Sequence, residues 1–157
     1  MMESDIAFYY GKDVEMLACP INPAWVIEGA PVARNCILSR SRDGGATTLL
    51  WDCTRGVFNW HYNIDETVFV LEGGVIVRDN AGVERFLGPG DHALFRAGSH
   101  AVWRVDDYVR KVAFCRTPVP APILFATRIL RKLSTLAGLR SRAPAAAPMF
   151  ANQDSGA

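Results

Sequence analysis

Between residues 32 and 116 the chain is cut into short apolar runs by Gly, Asp and Asn, at the intervals of about 8–12 residues that mark an all-β sandwich or barrel. The runs are Arg34–Ser39, Thr47–Cys53, Val57–Tyr62, Thr67–Leu71, Val75–Arg78, Val83–Leu87, His92–Phe95, Ala101–Val105 and Val109–Cys115. Several are rich in Val, Phe, Thr and Trp, which suit a pleated, half-buried surface. Asp43-Gly44-Gly45, Glu72-Gly73-Gly74 and Asp79-Asn80-Ala81-Gly82 supply residues that tolerate positive φ, so the joints are tight turns. Strands joined this way pair antiparallel, and the sheet must close or double to bury its faces.

The flanks differ. Residues 1–31 carry Pro20, Pro23 and Pro31, which predict an irregular segment packing on the barrel. After Thr117-Pro-Val-Pro-Ala-Pro122 the period changes to that of a helix over Ile123–Leu139, ended by Gly138. Ala126, Ile129, Leu130, Leu133, Leu136 and Ala137 fall on one face, with Arg128, Arg131 and Lys132 largely off it. The expected organisation is thus a barrel over 32–118, a basic amphipathic helix over 119–140 and a disordered tail over 141–157.

Charge follows the same division. Residues 1–107 hold 9 Lys/Arg and 15 Asp/Glu, a net of −6, and residues 108–157 hold 8 Lys/Arg and one acid, a net of +7. An acidic body repels phosphates, so no nucleic-acid partner is expected. The basic helix has three readings: it packs on the barrel, on a neighbouring protomer, or on an anionic membrane surface. Packing on protein is preferred, because the basic residues between Arg128 and Arg142 make only a modest patch for lipid. Sheet edges favour a homodimer. The first residues have no secretory pattern, and no apolar run approaches 18 residues. Cys19, Cys36, Cys53 and Cys115 lack metal or redox spacing, so reduced thiols and a cytoplasmic location are expected.

Two segments resemble the paired motifs of the cupins. Gly56-Val-Phe-Asn-Trp-His-Tyr-Asn-Ile-Asp-Glu66-Thr-Val-Phe-Val-Leu-Glu-Gly73 is similar to the first motif, and Gly88-Pro-Gly90-Asp-His-Ala-Leu-Phe-Arg-Ala-Gly98-Ser-His-Ala101 to the second. Trp51-Asp-Cys-Thr, Trp60-His-Tyr, Asp65-Glu-Thr-Val, Leu71-Glu-Gly, Ala101-Val-Trp-Arg-Val and Val109-Arg-Lys-Val resemble the subfamily of EutQ-like and ureidoglycine aminohydrolase-like domains. The resemblance spans roughly residues 24–118 and implies a double-stranded β-helix, or jelly roll. It implies little about activity, because one fold hosts many chemistries.

The resemblance places the metal ligands of the family on His61 and Glu66. Asn59 stands at the first histidine's position and Ala101 at the last, with His100 beside it, and Arg96 replaces the proline of the second turn. If residues 59 and 61 face inward, Asn59, His61 and Glu66 converge, with His100 as a weaker fourth donor. Such a set suits Zn, Fe, Mn or Ni, although a catalytic metal needs three firm ligands. The alternative is a metal-free pocket in which His61 and Glu66 form a hydrogen-bonded pair or act as general base and orienting group. Tyr62, Phe95 and Trp103, together with Trp51 and Trp60, are candidates to wall a small-molecule pocket. No nucleotide cofactor is expected. Two functions remain open: a cupin that acts on a small polar metabolite, nitrogenous by resemblance to its relatives, with or without a divalent metal in the barrel, or a non-catalytic, metal-free sensor or accessory domain whose basic helix contacts a partner or a membrane.

Overall fold

The computed structural model describes residues 14–136 and divides after Pro118 into two units, a β domain and a helical segment. The β domain contains β1 (Leu17–Ala18), β2 (Val26–Gly29), β3 (Ala33–Arg40), β4 (Ala46–His61), β5 (Asp65–Gly73), β6 (Val75–Arg78), β7 (Glu84–Leu87), β8 (His92–Phe95) and β9 (His100–Arg116). A single turn of 3₁₀ helix, Pro23–Trp25, precedes β2, with the Asn22 side chain accepting from the Ala24 N–H at 3.0 Å. The second unit is described by the helix α1 (Ala121–Leu136). No described helix is long and apolar enough to cross a membrane.

All strand pairs are antiparallel, and β4 and β9 run side by side from Ala46↔Arg116 to His61↔His100. Their outer pairings change half-way. The first half of β4 joins β3, and the second half of β9 joins β5, which continues to β8. Beyond the middle, β4 takes β2 as its neighbour, and β9 takes β6, which continues to β7. Two long strands therefore belong to both layers of a jelly roll. The expected runs Thr47–Cys53 and Val57–Tyr62 are one strand, and so are Ala101–Val105 and Val109–Cys115. Thr54-Arg55-Gly56 and Asp106-Asp107-Tyr108 bend the paired strands through a bulge without ending them.

That bulge decides what faces inward. Before it, Leu49, Trp51 and Cys53 lie opposite Ala113, Lys111 and Val109. After it, Phe58 lies opposite Trp103, and Trp60 opposite Ala101. The side chains that β4 gives to the core are thus the odd-numbered Leu49, Trp51 and Cys53 before Thr54 and the even-numbered Phe58 and Trp60 after Gly56, while Leu50 and Asp52 are buried as well, on the alternate face. Side chains from both layers, including Trp51, Cys53, Val70, Val109, Phe58, Val75, Ala101 and Trp103, form one core. Fully burying an aromatic such as Phe58 stabilises the fold by about 1.5–3 kcal/mol.

Two motif glycines have steric reasons. A Cβ at Gly56 would stand 2.8 Å from the Pro31 ring, and Gly73, at φ 68°, would drive one into the Tyr108 carbonyl. The segment expected to be irregular holds two short strands: β1 pairs with β3 and β2 with β4, Pro20 and Pro23 falling between them and Pro31 after β2. The helix starts at Ala121, two residues before the periodic stretch, because the turn after Pro120 is already closed by the Ile123 N–H. Ala137, Gly138 and the tail over 141–157 lie outside the described residues.

Candidate functional site

Glu66 is the second residue of β5, and alternation along that strand turns Glu66, Val68 and Val70 inward. Lys111 lies in the inward row of β9, between Val109 and Ala113. Its Nζ donates to Glu66 Oε1 at 2.6 Å, with the two side chains only 4% and 10% exposed. The same ammonium sits 4.9 Å from the Trp51 ring centroid and 4.6 Å from that of Trp103. Burying these charges is costly, and what offsets it is a short charge-assisted hydrogen bond together with two aromatic faces.

The aromatic residues extend this centre. Trp103 Nε1 donates to the Tyr62 hydroxyl at 2.9 Å, and the Tyr62 ring stacks on Phe95 at 4.5 Å and 7°. Phe95 in turn leans on Trp103 at 5.8 Å. Burial, then the nearby Glu66 charge, push the Tyr62 phenol well above its ordinary value, against a smaller opposing effect of the Trp103 N–H. Burial likewise pushes the Cys53 thiol up to about 12 and the Cys115 thiol up to about 11. Lys111 opposes both shifts without reversing them, so both are inert thiols at neutral pH.

His61 is elsewhere. It pairs directly with His100 across β4 and β9, their rings 5.8 Å apart, and its other neighbour is the Trp25 ring at 5.0 Å. Both histidines are exposed, and Asn59 shares their outward face two residues before His61. The bulge is the reason: the parity that would carry 59 and 61 inward belongs to the strand before Thr54. The structure thus brings Glu66, Tyr62, Phe95 and Trp103 to one interior and leaves Asn59, His61 and His100 outside it.

Those positions do not fit the divalent ion that the resemblance implies. Glu66 is engaged by Lys111, Ala101 is buried and offers no donor, and no group of three or more His, Cys, Asp or Glu side chains among the described residues can share an ion. Lys111 is the residue that sequence reasoning missed. Its signal was there, a lysine in the alternating inward row Val109, Lys111, Ala113, Cys115.

A cavity of about 500 Å³ opens between the β6–β7 hairpin and the β8–β9 turn. Val77, Leu87, Phe95 and Ala101 line its inner part, and Arg85, Arg96 and His100 are among its polar lining. The β8–β9 turn is fixed by a 3.0 Å bond from the Ala97 N–H to Asp65 and by backbone bonds of Tyr62 with Gly98 and Ser99. A second buried carboxylate, Asp52, lies in another part of the fold: Arg34 grips it through Nε at 3.0 Å and Nη2 at 2.6 Å, and the Tyr108 hydroxyl donates at 3.0 Å. This is a structural clamp joining β3, β4 and β9.

Residues 40–113 match the family model described as a EutQ-like cupin domain. The chain is a EutQ-like cupin. Solved structures agree on the fold. The EutQ protein of Clostridium difficile is 19% identical at a TM-score of 0.50, the match covering 56% of this chain and 70% of that one. A Pseudomonas syringae protein of unknown function from the DUF861 family is 22% identical at a TM-score of 0.61, over 66% of this cupin and 45% of its counterpart. The cupin thus spans less than half the length of that relative. The polyketide cyclase RemF of Streptomyces resistomycificus is 14% identical at a TM-score of 0.53, over 73% and 82% of the two chains. No curated protein matches the cupin by sequence.

Proposed function

We propose that this cupin binds a small molecule at the mouth of its barrel without a bound metal, as a sensor or accessory domain. The observation that carries the reading is the Lys111–Glu66 contact at 2.6 Å. An ammonium occupies the carboxylate that would otherwise be the firmest ligand, so the interior carries its own cation. The cavity of about 500 Å³ next to a rigid aromatic stack supports binding, because small-molecule pockets of this size are mostly apolar with a few fixed polar groups. The expected homodimer belongs to the same proposal. It is supported by the exposed apolar side chains Phe69, Leu94 and Phe114 on β5, β8 and β9, a kind of surface that monomers rarely leave contiguous.

The test joins elemental analysis to a metabolite screen. Untagged protein incubated with Mn, Fe, Ni and Zn and then dialysed is expected to hold far less than one ion per chain, and His61→Ala is expected to leave small-molecule binding intact. One equivalent of metal, lost in Glu66→Gln or His61→Ala, would return the site to the metallo-cupin reading.

A further inference from the structure

We infer that the ligand of this mouth is an organic anion with an apolar body, an inference that rests on the proposed binding role. The cavity has two chemistries. Its inner part is apolar and rigid, because Phe95 is held between the Tyr62 stack at 4.5 Å and Trp103 at 5.8 Å. Ala101 adds no polar atom there. An apolar body is buried favourably against such a wall.

The polar lining is basic. Arg85 and Arg96 line the cavity with His100, and Asp79 is the acid that joins them among the described residues. Two arginines less one aspartate give a lining charge of +1, His100 left aside. Asp79 is also already engaged: its Oδ1 accepts from the Ala81 and Val83 N–H groups, and its Oδ2 takes Arg85 at 3.1 Å. Arg96 makes no ion pair with a described residue, although the Asp65 charge feels it. This basic mouth belongs to a unit whose residues 1–118 hold 12 Lys/Arg and 15 Asp/Glu, a net of −3. A cleft of one sign in a body of the other concentrates ligands of opposite charge and turns away cations. Planar guanidinium groups also match the two oxygens of a carboxylate or phosphate.

Calorimetric titration of the full chain tests this with four probes of one shape: 1-naphthoate, 1-naphthyl phosphate, 1-naphthamide and 1-naphthylmethylamine. At least one of the two anions is expected to bind tenfold or more tightly than the amide, with the amine weakest; which anion wins distinguishes carboxylate from phosphate ligands. In Arg96→Gln, an exposed change that leaves the core untouched, the preferred anion is expected to fall to the level of the amide. If the amide or amine binds as tightly as both anions, or Arg96→Gln keeps the preference, the anion inference is overturned while the pocket stands. If none of the four binds at millimolar concentration, both the inference and the binding role at this mouth fail together.

Discussion

Removing the ammonium from the interior while keeping the carboxylate is the sharpest perturbation of the core. Lys111→Met preserves most of the side-chain volume but leaves Glu66, 8% exposed, without its partner at 2.6 Å. Stranding one member of a buried ion pair costs about 3–5 kcal/mol, and the loss of the contacts with Trp51 and Trp103 adds to it. With a urea m-value of about 2 kcal/mol/M, the midpoint should fall by roughly 2 M at pH 7. Glu66→Met should be comparably damaging, because it strands the lysine. The double variant Glu66→Met with Lys111→Met should recover most of the loss, since buried pairs replaced by apolar residues of similar volume are often neutral or better. The double-mutant cycle should therefore give a coupling of about 3 kcal/mol or more. Single variants within about 1 kcal/mol of the parent, or singles that simply add, would refute the view that an internal cation organises this barrel.

Other outcomes follow from the burial and bonding of single residues. Cys53 and Cys115, pushed up to about 12 and 11, should resist a thiol reagent such as dithionitrobenzoate at pH 8 until urea unfolds the chain, whereas Cys19 and Cys36, both partly exposed, should react in the native state. Rapid native labelling of all four would contradict the burial. Asp65 is held below its ordinary value of 3.8, first by the Ala97 N–H and then by Arg116. A lowered carboxyl contributes stability that is complete above the ordinary value and is lost as pH falls through the lowered one. The urea midpoint of Asp65→Asn should accordingly fall less between pH 5 and pH 2.5 than that of the parent, and equal slopes would dismiss the contribution. Gly73→Ala places a methyl against the Tyr108 carbonyl at positive φ, so a loss of at least about 3 kcal/mol is expected by thermal unfolding, and a neutral result would mean the turn is freer than drawn.

The fold was legible because its signals are local. Gly44, Gly73 and Gly82 adopt the positive φ that the turn chemistry calls for, at 69°, 68° and 80°. The inward alternation of β5 and β9 follows the sequence pattern directly. The site was less legible, for one physical reason. Alternation says that 59 and 61 share a face but not which one, and the bulge at Thr54–Gly56 decides that. The convergence of Asn59 and His61 with Glu66 required them to face inward, whereas Phe58 and Tyr62 hold that position. Lys111 was hidden for a different reason: a lysine in a strand reads as a surface residue until Trp51, Trp103 and Glu66, distant in sequence, close around it.

The shared strands also set an order of events during synthesis. β4 finds its longest partner only when β9 exists, and the first residue of the ladder, Ala46, waits for Arg116, 70 positions later (116 − 46). At roughly 5–20 residues per second, the 41 to 64 positions between Trp60 and Ala101 (101 − 60) and between Leu49 and Ala113 (113 − 49) leave Leu49, Trp51, Phe58 and Trp60 without their β9 partners for about 2–13 s. Neither layer of the jelly roll can be completed first, since each lacks a central strand until β9 emerges. Chain growth and folding are thereby tied together, and a premature stop anywhere before residue 100 yields an adhesive fragment, never a smaller version of the domain.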